Sequence, residues 1–382
     1  MSRRITFTIL AVSLLTIEAV SCTRPFVPVQ LTVTFTPAPT STPISTFTPA
    51  VTPTSTPTAA PTFTPTSSPT PTIALTPPGE RTVLSPMRFE WQRLNNCGPA
   101  SLAMVLSYYG LKRTQLDIAP VVKGRYADKH VGFEEMITYL TNVGLRARVR
   151  VNGNERILKA LLSNGIPVIV YQLLLVPDGQ SVGHYRVVKG YDEDGFILND
   201  SYLGPNLRFS FATFEERWRV FNRRYIPVYL AEREKVVEVI LGRDWEDKAM
   251  YERALIQARQ EVESVGDAYA WFNLGDDHLA LGQYEKAVKA YERALKEGLP
   301  SWFLWYQFGP LEAYNALGEY KKVLSLSRKV IASAPDIEEV HYQRGLAYMG
   351  LGEVEKAEEE FKLALKYNPN YAKASEALAA LK

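Results

Sequence analysis

The sequence predicts two folded regions, an α+β domain followed by an all-α helical repeat solenoid, behind an N-terminal tail that does not pack. Three observations carry this reading. Between Arg24 and Glu80 there is no charged residue, and Thr and Pro dominate, a composition with too little apolar surface to offset the entropy of ordering. From Arg81 to about Glu232, helical periodicity comes first and strand-like alternation later, the order of an α+β domain. From about Arg233 the chain reads as helix to its end, and Gly282, Gly318 and Gly352 recur at spacings of 36 and 34 residues, as in a stacked repeat.

The N-terminus speaks to compartment. Arg3 and Arg4 precede an apolar stretch from Ile5 to Ile17, long enough for a signal h-region and short for a membrane span. The following Ala19-Val20-Ser21-Cys22 resembles a bacterial lipobox, which implies lipidation of Cys22 and an exported, membrane-anchored lipoprotein at the cell surface or in the periplasm. The plainer alternative is a secretory signal in which Cys22 is incidental. Residues 1–22 are thus assigned to the signal and 23–80 to a disordered linker. Its prolines favour extended polyproline II at about 3.1 Å per residue, a spacer on the order of 150 Å.

Residues 81–232 form the first folded domain. Leu102, Val105, Leu106 and Tyr109 share one side of a predicted helix from Pro99 to Tyr109, with Gly110 as its stop. A second helix is expected over Phe133–Asn142, closed by Gly144, and a third over Glu155–Ser163. Arg146–Val151 alternates like a half-buried strand, and Ile166–Leu173 is an apolar run suited to a central strand. His184–Tyr191 and Phe196–Asp200 read as two strands around an Asp192-Glu193-Asp194-Gly195 turn.

Residues 233–382 hold the repeats. Trp271, Leu274 and Gly275 precede Gly282, and Tyr284, Ala287, Tyr291 and Ala294 follow it. Gly345 and Tyr348 precede Gly352, and Ala357, Phe361, Ala364 and Pro369 follow. This pattern resembles the tetratricopeptide repeat, in which small residues let the two helices of a hairpin pack closely. The middle copy departs from it, with Pro310-Leu311 at the Leu-Gly pair, Val323 for Ala and Ser327 for the aromatic. Trp245–Ser264 is expected to pack on the first repeat, and Tyr371–Leu381 to cap the last. The solenoid's concave surface suits an extended protein partner.

The formal net charge is +2, with both signs interleaved through the folded part, which speaks against a nucleic-acid binder. Two cysteines and four dispersed histidines give no disulfide framework and no metal signature, so neither a metal nor a cofactor is predicted. His278 and His341 occupy aromatic repeat positions and read as packing.

Cys97 stands in Asn95-Asn96-Cys97-Gly98-Pro99-Ala100 at the start of a helix. The positive end of the helix dipole favours thiolate there, and a neighbouring imidazolium would lower the thiol pKa further. Gln92, five residues upstream, could join the Cys97 backbone N–H in an oxyanion hole. His184 opens one strand and Asp200 ends the next. A three-residue loop such as Glu193-Asp194-Gly195 would put both on one sheet face, giving a triad in which Asp200 orients the imidazole and His184 deprotonates Cys97. Parity sends the competing Asn199 to the other face.

These residues, with Gly98-Pro99-Ala100-Ser101-Leu102-Ala103-Met104-Val105-Leu106 and Tyr185-Arg186-Val187-Val188, resemble the C39-like peptidase family over roughly residues 85–230. The resemblance implies a papain-like fold and the catalytic order Gln92, Cys97, His184, Asp200. Gln92 lies one residue nearer the cysteine than in papain-like enzymes generally, and Ser201 stands where bacteriocin-leader peptidases usually have Pro. No GxxxxGK[ST] loop or multi-helix membrane domain accompanies them, so cleavage of double-glycine leaders is not carried over. The function expected is a thiol peptidase acting on peptides or proteins outside the membrane, with the repeats recruiting substrate or partner. Amidase, transglutaminase or acyltransferase chemistry on the same triad is one alternative, and a non-catalytic adaptor is another. Residues 81–232 are expected to act as an independent module, unless Trp302, Phe303, Trp305 and Phe308 pack against them.

Overall fold

The computed structural model describes residues 73–126, 128–176 and 181–381; the signal segment, Cys22 and linker residues 23–72 lie outside them. The first domain opens with β1 (Thr82–Val83), α1 (Cys97–Tyr108), α2 (Gln115–Val122), α3 (Phe133–Asn142), β2 (Leu145–Ala147) and α4 (Glu155–Ser163). It continues through β3 (Val168–Leu175), β4 (Ser181–Tyr191), β5 (Phe196–Asp200), β6 (Gly204–Phe209), α5 (Phe211–Arg219) and β7 (Tyr225–Leu230). Among the described residues these strands make one antiparallel sheet in the order β2-β7-β3-β4-β5-β6, with β1 added along β4.

Side chains alternate across a strand, and the sheet uses both faces. Ile169, Tyr171, Tyr185, Val187, Ile226 and Val228 face α1 and α3. Val168, Val170, Val188, Leu198 and Tyr229 face α4 and α5. The helices expected at Phe133–Asn142 and Glu155–Ser163 form with those bounds. The stop at Gly110 is also present, with the residue at φ +76° and Leu111 N–H donating to the Leu106 carbonyl, a left-handed C-terminal cap. The strand expected over Arg146–Val151 shortens to β2 plus a single bridge between Arg150 and Tyr225.

Two boundaries differ from the sequence reading. The linker is expected to run to residue 80, but within the exposed stretch 73–80 two residues already touch the first domain. Thr76 exchanges backbone bonds of 2.9 Å in each direction with the Asn164 amide, and Ile73 packs on the α4 side of the core. At the other end, a cut at 232 would divide one core. Helix α6 (Glu234–Leu241) buries Val236, Val237, Ile240 and Leu241 among the residues of β3, β5 and β7.

The helical region continues with α7 (Asp247–Ser264), α8 (Ala268–Ala280), α9 (Tyr284–Lys296), α10 (Gly309–Ala316), α11 (Tyr320–Ser333), α12 (Glu338–Gly350), α13 (Val354–Tyr367) and α14 (Ala372–Ala380). Repeat glycines act as read: a Cβ at Gly275 would lie 2.5 Å from Tyr291, and one at Gly345 2.3 Å from Phe361. His278 and His341 are structural, bonded to Gln283 and to Glu360 and the Pro335 carbonyl.

The expectation of two independent modules is corrected. Asn222 donates to Asp277 of α8 at 2.6 Å, Arg224 pairs with Asp276, and Arg223 forms a buried pair with Glu261 of α7. Further along, Arg125 pairs with Asp336, and Glu134 of α3 meets Lys373 of α14 at 2.9 Å. Phe303 stacks on Phe221, centroids 5.1 Å apart and planes within 9°. A row of repeat helices is therefore spent on the chain's own first domain.

Candidate active site

The turn that delivers Cys97 is built by residues far from it in sequence. Asn95 takes φ +54°, a left-handed value that Asn tolerates better than most residues. Asn96 then caps α1 through its carbonyl, which accepts from Ala100 N–H at 2.9 Å. Gln115 of α2 holds the approach: its Oε1 accepts from Arg93 N–H, and its Nε2 donates to the Trp91 carbonyl and to Glu90. Buried Lys123 donates to the carbonyls of Leu94, Asn95 and Tyr126 and to Asn96 Oδ1. Cys97 and Gly98 occupy the first helical positions and Pro99 the third, two later than expected but still where no intrahelical donor is needed.

The thiol is only partly buried. Burial alone would push its pKa up. The hydrogen bond and charge of His184, then the backbone N–H groups of Tyr185 and Gly98, outweigh burial and bring the thiol below its ordinary range. His184 is fully enclosed, and burial opposes its charge. Asp200 and then Cys97 overcome that and raise the imidazole. Its Nε2 lies 2.9 Å from Asp200 Oδ1, which leaves Nδ1 for the sulfur. Asp200, despite burial, is held far below the usual carboxylate range by His184, Arg186 and the Leu203 N–H. The three groups thus favour a thiolate–imidazolium pair backed by a carboxylate.

The register that joins His184 to Asp200 is not the one expected. Tyr191 pairs with Phe196, so the loop is the four residues Asp192–Gly195. Carried through without interruption, that pairing would put His184 and Asp200 on opposite faces. A bulge at Lys189, between the Val188–Leu198 and Gly190–Ile197 pairs, adds one residue and restores parity. His184, Arg186 and Asp200 then share the α5 face. Asn199 goes to the other face, where its Oδ1 accepts from Asn206 N–H.

Sequence reasoning missed Arg186. It is fully buried, its Nε donates to Asp200 Oδ2 at 2.7 Å, and its Nη1 reaches Gln172 Oε1 at 3.2 Å. Asp200 Oδ1 also accepts from Tyr202 and Leu203 N–H at 2.8 and 2.9 Å, so the carboxylate is fixed from every side. The signal was available in the spacing of Arg186, two residues along the strand from His184. Gly183 was missed as well: a Cβ there would lie 2.0 Å from the Tyr171 hydroxyl. Gln92 is brought to the Asp200 end of the site. Its N–H donates to the Ser201 carbonyl at 2.9 Å, and its Oε1 accepts from the Ser201 hydroxyl at 2.8 Å, which leaves the amide NH2 as donor. Ser201, at the position noted above for its missing Pro, supplies a bond that Pro has no hydroxyl to make. His130 lies apart from the triad at the domain junction, pushed down to about 4 by burial and Arg224.

A thiol at a helix start, an imidazole and a buried carboxylate in series define a cysteine-hydrolase-type constellation on an antiparallel sheet. Residues 84–226 match the model of the Peptidase_C39 like family, and residues 268–297 and 338–371 match that of the tetratricopeptide repeat. The chain carries a C39-like domain followed by tetratricopeptide repeats. Curated relatives include DnaJ homolog subfamily C member 3 of Mus musculus, 32% identical over 111 residues, 29% of this chain and 22% of that protein. Another is Protein CTR9 homolog of Arabidopsis thaliana, 33% identical over 109 residues, 28% of this chain and 10% of that protein. The chain thus spans less than a quarter of the length of these relatives. Similar solved structures include a C39-like peptidase from Bacillus anthracis, 17% identical with a TM-score of 0.32, covering 39% of this chain and 98% of that one. MamA from Desulfovibrio magneticus RS-1 aligns at 23% identity and a TM-score of 0.33, over 40% of this chain and 84% of that one.

Proposed function

We propose that the chain is a thiol peptidase that hydrolyses peptide bonds. The observation that supports this reading is the continuous series from Cys97 through His184 to Asp200, with the thiol lowered and the imidazole raised. The Cys97 thiolate attacks the scissile carbonyl, and the resulting oxyanion is met by the Cys97 N–H and the Gln92 amide. His184 passes its proton to the departing amine, leaving a thioester. It then takes a proton from water, which attacks the thioester and releases the acid. Asp200 holds the ring in the tautomer that presents Nδ1 to sulfur.

Cys97→Ala in the full chain abolishes cleavage of a peptide library while leaving the melting temperature nearly unchanged. His184→Ala slows alkylation of Cys97 to the rate of free cysteine. Cleavage that persists in Cys97→Ala would refute the assignment, and transfer of the acyl group to an added amine without hydrolysis would replace it with acyltransferase chemistry. Export and lipidation rest on Ala19-Val20-Ser21-Cys22. Cys22→Ser should then lose incorporation of labelled palmitate and membrane partitioning; unaltered protein recovered unlipidated in the medium would sink this part.

A further inference from the structure

Between the first domain and the repeats lies a cavity of about 430 Å³, within the range of small-ligand sites, about 300–1,000 Å³. Phe133 of α3 and Arg224 line it from the first domain, and α8, α10 and α12 close it from the repeats through Asp276, Glu312 and Glu339. None of Cys97, His184, Asp200 or Gln92 lines it. It holds five carboxylates, those three with Glu134 and Glu135, against two cations, Arg224 and Lys373. Both cations are already engaged, Arg224 with Asp276 at 3.4 Å and Lys373 with Glu134 at 2.9 Å. The whole chain carries a formal charge of +2, so the negative surplus is local.

Two atoms in this lining have no partner. Glu339 Oε1 lies 4.0 Å from His130 Nε2, an imidazole held down to about 4 by burial and Arg224 and so uncharged, while Glu339 Oε2 is buried and unpaired. Gln307 is 5% exposed; its Oε1 accepts from Arg224 at 3.2 Å, and its Nε2 is a buried donor without an acceptor. Leaving such groups unmet is costly. Among the described residues no three carboxylate, imidazole or thiol groups gather closely enough for a metal ion, which points to an organic cation. Phe133, Tyr306, Phe308 and Tyr342 supply ring surface around the carboxylates, and cations are held over ring faces. The cavity already holds one guanidinium this way: that of Arg224 lies 4.9 Å from the centre of the Phe133 ring while it pairs with Asp276.

We propose that this cavity binds the side chain of a basic residue, Arg or Lys, in an extended peptide: Glu339 and Glu312 receive the cation, Tyr306 and Tyr342 flank its stem, and Gln307 Nε2 donates to a backbone carbonyl beside it. A Lys or Arg side chain joins an apolar stem to a charged head that only donates, which matches rings set around carboxylates. Gln307 offers an N–H that needs an acceptor, and a peptide backbone carries one next to every side chain. A simple amine would answer Glu339 and leave Gln307 unmet. The site stands apart from the catalytic series and does not depend on the peptidase reading.

The test uses full-length protein carrying Cys97→Ala, so that no peptide is consumed, and fluorescent peptides of one Gly-Ser sequence with Arg, Lys or norleucine at the central position. By fluorescence anisotropy the Arg and Lys peptides should bind roughly tenfold or more tighter than the norleucine peptide, the size of one hydrogen bond to a charged group. Glu339→Gln and Glu312→Gln each keep the shape of the side chain and remove its charge. Either should lower affinity for the Arg peptide severalfold and leave the norleucine peptide unchanged, with a melting curve showing that the variant is folded. Gln307→Leu should weaken all three peptides alike, and unchanged affinity there would overturn the backbone contact. Equal binding of the Arg and norleucine peptides, or an Arg preference that persists undiminished in both glutamate variants, overturns the proposal.

Discussion

Asp200 decides the chemistry at the scale of single residues. It serves two cations, His184 through Oδ1 and Arg186 through Oδ2, so its removal has two separable effects. In Asp200→Asn the imidazole loses the charge that raised it. The pair titrates together, and the sign follows: the thiolate–imidazolium state spans a pH window whose acid limb belongs to the thiol and whose alkaline limb belongs to the imidazole. The alkaline limb moves to lower pH, while the acid limb, set by the thiol beside a still-protonated imidazole, does not rise. The kcat/KM profile should therefore narrow from its alkaline side, and activity at neutral pH should drop by about 10² to 10⁴. An unchanged profile would show that Asp200 does not act through His184. Arg186 is left as an unpaired buried charge, a change of about 3–5 kcal/mol in stability, so a melting curve must accompany the kinetics. The sequence made Cys97, His184, Asp200 and Gln92 legible because each sits in a local pattern. Lys123 and Gln115 were not, because they act on the Cys97 turn across 19 to 29 residues of chain and nothing local marks them.

Among the elements, the β4–β5 hairpin shows how far pattern reading goes. Alternation located both strands, and β5 has the bounds read from it. Alternation does not count residues in a loop or announce a bulge, so the correct facing of His184 and Asp200 was reached through a loop of the wrong length. Deleting Lys189 tests the register directly. The Val188–Leu198 and Gly190–Ile197 pairs would then be adjacent, and His184 would keep the same face as Asp200. The alkylation rate of Cys97 should stay close to that of the unaltered protein; a fall to the rate of a free thiol with the sheet intact by circular dichroism would show that the bulge shapes the site beyond setting its register. Other elements were missed despite local marks. Thr114 and Asp117 form a capping box at the start of α2, and Ser210 caps α5 through Thr213 N–H. Strand β7 was missed because Pro227 interrupts a run that otherwise reads as central sheet. Its first three residues pair with β3 and its last three with β2.

For the whole molecule, domain arithmetic from composition underestimated the junction. The aromatic run from Trp302 to Phe308 was visible in sequence, but sequence could not say whether it faced solvent, a partner or the first domain. The structure places Phe303 and Phe221 in one apolar cluster. A fragment of residues 81–232 should accordingly aggregate or melt far below the full chain. It loses Val236, Val237, Ile240 and Leu241 from its core, about 6–12 kcal/mol of burial, against a typical total stability of about 5–15 kcal/mol. A soluble 81–232 fragment with a sharp, native-like melting transition would contradict this.

The docked repeats bind the two halves of the molecule into one thermodynamic cycle. Any occupant that touches both the first domain and the repeats gains affinity from the repeats being in place. By reciprocity it must tighten their hold on the first domain by the same factor. A repeat region held this way is less a recruiting arm than an effector whose binding partner is already part of the same chain.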